Sequence, residues 1–458
     1  MKKLLGTCLL LLTAWTLLRA QDSLSSAPDF PPFRLVRSEE DFSFLKKHRP
    51  PGSRWEELKY LPLGENSYLS LGGDVRSEFQ VLQNENWENG NDDAALFQRF
   101  MLHSDWHVGK NLRLFGQLKS GHAFGRNGGP FFLNDDDLDL HQLFVGLKLG
   151  NSTLEIGRQE LRYGSQRLIS LREGTNVRQS FDGARWIWRQ PNLRLDLLFY
   201  AYNPQQVGVF DNKINTDQLL WGAYWVWDLP GADGLHFDSY YLGVHNEHPR
   251  FEQGSLQETR HSAGMRHWGE TGPLSYNNEA VVQWGKFGSG NIRAWTLSTE
   301  INIRLPGSWQ PTPGLKAEII SGDRDPSDAN LQTFNALYPR GGYFGLLALI
   351  GPANLMDVHP SLALTFGKKW NLNLDWDFFW RHRLTDGIYL PSGRLNLAGN
   401  WSGERFIGHQ PGAQLAFVPN RFLEAEASYF YFFTGKFLDD LTPGANFSQI
   451  GVSLSFKF

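Results

Sequence analysis

Apolar and polar residues alternate with a period of two over long stretches of this chain. Leu69, Leu71, Val75 and Phe79 alternate with Ser70, Asp74, Arg76, Glu78 and Gln80. The same grammar recurs where Trp295, Leu297, Thr299, Ile301 and Ile303 alternate with Thr296, Ser298, Glu300, Asn302 and Arg304. The chain closes with Ile450, Val452, Leu454, Phe456 and Phe458 set against Gln449, Gly451, Ser453, Ser455 and Lys457. Period two places successive side chains on opposite faces of a strand, and these runs exceed an average globular strand. In a soluble sandwich the apolar face would be the core, yet the polar face here carries charge along whole strands.

The pattern predicts an all-β fold, a transmembrane antiparallel β-barrel of about 18 strands in a bacterial outer membrane. Strands are predicted near 68–82, 97–108, 111–124, 139–149, 152–163, 182–190, 192–203, 216–228 and 235–246. They continue near 258–269, 273–287, 291–305, 312–321, 358–367, 370–383, 408–418, 421–434 and 446–458. Connections sort in support of this reading. Every second one is short, as at Gly109-Lys110, Gly150-Asn151, Lys368-Lys369 and Pro419-Asn420. The others are mostly long and polar, the longest being 322–357, whose apolar stretch 344–350 predicts a loop folded over or into the barrel mouth. Trp186, Trp188, Trp221, Trp225, Trp227, Tyr429, Tyr431 and Phe433 fall on the apolar parity or near strand ends, where girdles form at a membrane boundary.

Composition changes the picture at the N-terminus. Lys2 and Lys3 precede an apolar stretch at 4–18, a length that suits a signal peptide and not a spanning helix. Cleavage is expected after Ala20, giving a signal peptide 1–20, a periplasmic lead-in 21–66 with a candidate short helix at 39–47, and a barrel 67–458. The lead-in reads equally well as a plain linker or a short plug. Cys8, the single cysteine, leaves with the signal, which excludes disulfides and thiolate chemistry from the mature chain. A mean hydropathy of −0.39 excludes a helical membrane protein but not a barrel. A net charge of −4 with balanced signs gives no reason to expect nucleic acid.

If the apolar parity faces lipid, arginines such as Arg76, Arg99, Arg113, Arg185, Arg189, Arg194 and Arg304 face the lumen, together with Asp74, Glu78, Asp105, Asp196, Glu279, Glu318, Asp375 and Asp377. Two readings stand side by side: a charged conduit that selects solutes, or a salt-bridged network that braces the barrel. The acidic runs at 134–139 and 323–328 lack the spacing of a calcium loop. The thirteen histidines are scattered without metal-ligand spacing, and no Ser-His-Asp grouping is evident, so neither metal nor cofactor is expected. Arg158 breaks parity by sharing the face of Leu154 and Ile156, which requires a β-bulge or a position above the membrane.

That element, Gly157-Arg158-Gln159, resembles the alginate-export family of outer-membrane porins. Further likenesses are Phe181-Asp182-Gly183-Ala184-Arg185 and the segment from Ser321-Gly322-Asp323-Arg324-Asp325-Pro326 through Gly342-Tyr343-Phe344-Gly345 to Asn354-Leu355. The resemblance covers about 68–458 and implies an eighteen-stranded monomeric barrel whose arginines attract uronate carboxylates, since planar guanidinium donors bind carboxylate in a bidentate manner. The carry-over names Arg158 and Arg162, then Arg99, Arg113, Arg185 and Arg304, as substrate-binding residues. The expected function is passage of a polar or anionic solute or polysaccharide, with lipid bilayer and lipopolysaccharide as surroundings. The alternative is a barrel with a sealed lumen acting as a structural protein or a hydrolase.

Overall fold

The computed structural model describes residues 30–47, 53–229, 234–441 and 445–458. The wall begins with β1 (Leu61–Gly64), β2 (Ser67–Gln83), β3 (Asp93–Val108), β4 (Leu112–Phe124), β5 (Asp136–Leu149), β6 (Ser152–Gln159) and β7 (Ser180–Gln190). It continues through β8 (Leu193–Asn203), β9 (Asn215–Asp228), β10 (Leu235–Asn246), β11 (Glu258–Thr271), β12 (Leu274–Phe287), β13 (Gly290–Ile303) and β14 (Thr312–Ile320). The remaining strands are β15 (Leu355–Phe366), β16 (Trp370–Arg381), the small hairpin β17 (Ile388–Tyr389) and β18 (Leu395–Leu397), then β19 (Phe406–Asn420), β20 (Leu423–Thr434) and β21 (Phe447–Lys457). Each barrel strand pairs antiparallel with its neighbour, and β21 pairs back onto β2 from Asp74↔Lys457 to Gln83↔Ser448. Setting aside β1 and the β17–β18 hairpin, eighteen strands close the sheet, as the alternation predicts.

Closure turns the usual burial rule inside out. On β3, Leu102 is 56% exposed, whereas Arg99 and His103 are 2% and 3% exposed. Leu297 and Ile301 of β13 likewise face outward while Thr296 and Ser298 are buried. An apolar outer band around a polar interior suits a hydrocarbon surround, and the closed sheet can stand there because it satisfies its own backbone groups.

The lead-in is latched across the seam where the last strand meets the first. Arg37 donates from Nη1 to Gly73 O at 3.1 Å and from Nη2 to Phe458 O at 2.7 Å. Trp55 packs on Phe456 and Phe458 with centroids 5.2 and 4.6 Å apart. Trp55 sits on a single helical turn, Arg54–Glu57, set by a capping box in which Ser53 N donates to Glu56 Oε2 at 3.0 Å. The candidate helix at 39–47 is realised as two 3-10 turns, Arg37–Glu39 and Ser43–Lys46. The signal peptide expected at 1–20 lies outside the described residues.

Two expectations need correction. β6 ends at Gln159, four residues before the predicted boundary, because Glu160 and Leu161 turn inward and become buried. β13 ends at Ile303, so Arg304 lies past the strand end, exposed in the short turn, where its N–H donates to Pro273 O at 2.8 Å.

Candidate functional site

Two long loops fold into the lumen. The first, residues 160–179 between β6 and β7, enters through Gly164, whose φ of +52° and approach to Tyr224 leave no room for a side chain. Its Arg167 reaches Glu279 Oε2 at 3.2 Å, Thr296 Oγ1 at 2.9 Å and Glu318 Oε1 at 3.0 Å. Glu279 and Thr296 lie midway along β12 and β13, so this loop crosses the barrel near mid-height. Arg178 pairs with Glu173 and with Glu160 (3.2 Å), and Arg99 of β3 reaches Glu173 Oε1 at 2.7 Å.

The second loop, residues 321–354 between β14 and β15, packs against the first. Ser170 N donates to Tyr338 O at 2.9 Å, Tyr338 N to Leu168 O at 2.8 Å, and Arg340 N to Gln166 O at 2.9 Å. The Tyr338 ring meets Phe181 edge-on and stacks on Tyr202. Phe344 and Ile350 are buried with it in an apolar cluster to which inward-facing wall residues such as Leu198, Leu242, Val281 and Phe379 also contribute. The expectation that this loop folds inward from its apolar stretch is met. The inward course of 160–179 is not legible in the same way, because its buried apolar residues, Leu161, Tyr163, Leu168, Ile169, Leu171 and Val177, are interspersed with the buried charges Glu160, Arg167 and Arg178 and form no apolar run like 344–350.

At the short-turn end the lumen widens into a cavity of about 1100 Å³. Seven arginines and three lysines line it against three glutamates and two aspartates. Arg113 is held by Asp105 Oδ1 at 2.7 Å and donates to Ser38 O of the lead-in at 2.7 Å. Arg185 pairs with Glu155 at 2.7 Å, Arg194 with Asp196 at 2.6 Å and Arg266 with Asp238 at 3.0 Å. Arg162 reaches Glu39 at 3.1 Å and keeps 36% of its side chain exposed. Arg189 lines the cavity, is exposed, and makes no salt bridge among the described residues. The paired arginines are largely neutralised by their carboxylates, so the net positive field rests with cations such as Arg189 that make no ion pair among the described residues.

The structure thus brings three of the six predicted residues, Arg113, Arg162 and Arg185, into one vestibule. Arg99 is buried with Glu173 and Asp74, and Arg304 lies in the short turn. Arg158 is committed elsewhere: it makes a bidentate pair with Asp182 at 2.8 and 3.1 Å and donates to Leu140 O and Asn212 O. β6 shows no register shift, so its parity break is explained by this pairing at the long-loop end of the strand. Gly157 beside it has φ +135°, and a Cβ there would fall 2.2 Å from Leu143 O. Gly157 and Arg158 pair in register with Gly183 and Asp182, so two of the motifs read in the sequence form one cross-strand patch.

The model of the Alginate export family matches residues 67–450. The chain belongs to that family. Its fold is shared with solved outer-membrane proteins of Pseudomonas aeruginosa. OpdK superposes with a TM-score of 0.61 at 14% identity, covering 87% of this chain and 99% of that one. OccK8 (OprE) gives 0.58 at 13% identity, with 85% and 98% covered. OccK2 (OpdF), solved in complex with glucuronate, gives 0.57 at 12% identity, with 85% and 96% covered. No curated protein matches by sequence. This alginate-export barrel is an outer-membrane porin for polar solutes.

Proposed function

We propose that this porin passes an anionic, carboxylate-bearing solute such as a uronate, and that the periplasmic vestibule is where the solute's charge is read. The observation that carries this reading is the excess of cationic over acidic side chains lining the 1100 Å³ cavity, which persists when Asp105 and Asp196, paired with Arg113 and Arg194, are counted with the acids. A carboxylate drawn there by the summed field exchanges part of its hydration for guanidinium donors, which costs less than entering a neutral constriction. The glucuronate complex of a barrel of the same fold supports the chemistry. On this reading the protein acts by passage, not by hydrolysis, and works as a monomer in a bilayer with lipopolysaccharide outside. Residues 1–20 serve as the export signal, and the lead-in narrows the periplasmic mouth. Planar-bilayer recordings under a salt gradient test the reading: a reversal potential of the anion-preferring sign is expected, and a cation-preferring one contradicts it.

A further inference from the structure

The wall opposite the vestibule carries a second cluster that anion passage does not use. His359 of β15 and Asp375 and Asp377 of β16 place one ligand atom each within 4.8 Å of one another. Asp357 joins them, with Oδ2 3.2 Å from His359 Nε2, and His359 Nδ1 touches Asp377 Oδ1. His359, Asp357 and Asp377 are no more than 2% exposed, while half-buried Asp375 opens toward the lumen. Neither ring nitrogen of His359 and neither oxygen of Asp357 makes a hydrogen bond, despite these short approaches. Glu318 lies directly across from Asp357 in the β14–β15 register, and its oxygens also lack hydrogen bonds.

Like charges directly opposed on neighbouring strands are destabilising, and buried carboxylates without hydrogen bonds are more so. Lys316 lies nearby but makes no ion pair to them among the described residues, its Nζ being turned to Tyr343 O and that ring. Arg167 is shared between Glu279 and Glu318. We infer that His359, Asp375 and Asp377, with Asp357 beside them, bind one divalent transition-metal ion such as Zn²⁺. One imidazole nitrogen with carboxylate oxygens is a donor set of that class, and converging atoms at short range without hydrogen-bond geometry are what an ion would organise. The site lies beneath the second infolded loop: a Cβ at Gly345 would stand 3.2 Å from Asp377 Oδ2. An ion there neutralises an acidic patch in a lumen that otherwise favours anions.

Calorimetric titration of the refolded full chain, free of added histidine tags and stripped with chelator, tests this with Zn²⁺ alone. One ion per chain is expected, with affinity at least about tenfold weaker in Asp375→Asn and in His359→Gln. Co²⁺ should give visible absorption bands in the wild type that change in His359→Gln. Asp375→Asn, half-exposed, keeps the test decisive should the histidine variant fail to refold. Arg189→Gln, which alters only the vestibule, should bind Zn²⁺ as the wild type does, separating this site from the anion reading. Absence of stoichiometric binding in the wild type, or binding that both variants leave unchanged, overturns the inference.

Discussion

The two loops that enter the lumen do similar work by different mixtures of means. Residues 321–354 bury Tyr338, Phe344 and Ile350 in an apolar cluster, so their placement follows from removing greasy surface from water. Residues 160–179 bury Leu161, Tyr163, Leu168 and Ile169 in the same cluster but add ions to it: Arg167, Glu173 and Arg178 each pair with partners from the wall or from the loop itself. An apolar loop advertises its destination in the sequence, because such a stretch is unsuited to open solvent. A loop whose apolar residues are interspersed with charges reads as solvated until the structure shows the partners of those charges. The contrast also separates failure modes, since a truncated apolar residue leaves a cavity while a truncated ion leaves stranded charges.

The largest effect is expected from Arg178→Ala, which strips the guanidinium from Glu160 and Glu173 together. Breaking a buried pair on one side costs about 3–5 kcal/mol, and urea unfolding in lipid vesicles should register it. Phe344→Ala should cost about 3 kcal/mol through transfer and cavity terms. Its conductance should rise as the second loop loosens, and an unchanged conductance would show that this loop does not narrow the path.

A third expectation concerns the lead-in latch. Burial, reinforced by the neighbouring Arg37, pushes Lys59 down to about 7. Between about pH 7 and the ordinary lysine value near 10.5, the unfolded chain therefore holds a proton that the latched state does not. The latch should tighten as pH rises through that window and be weakest below it. Protease cleavage of the lead-in at pH 6 and pH 9 checks the sign, and Lys59→Met should flatten the difference. The smallest stability effect belongs to Arg189→Gln, within about 0.5 kcal/mol because the residue is exposed, although its anion preference should fall measurably.

Much of the barrel was legible because period two, strand length and alternating loop lengths all report the same closed sheet. The early end of β6 was not, since Glu160 and Leu161 continue the alternation while the chain leaves the wall. Arg113 and Arg185 were legible as lumen residues from parity alone, and Arg162 came from the family resemblance. Their assembly with Arg189, Arg194 and Arg266 depends on barrel curvature, which brings β4, β7, β8 and β11 to one cavity. Arg158 looked functional because of its motif, yet the motif's glycines and Asp182 show a cross-strand lock. The His359 cluster escaped notice because its ligands come from adjacent strands, sixteen residues and more apart, and not from one local spacing.

The most direct test of the central claim is single-channel block by glucuronate added from the periplasmic side, compared between the wild type and an Arg162→Gln/Arg189→Gln double variant. The account predicts block in the wild type, absent for an uncharged sugar of equal size and strongly weakened in the double variant. Equal block by the uncharged sugar, or block that survives loss of both arginines, would contradict a vestibule that reads carboxylate charge.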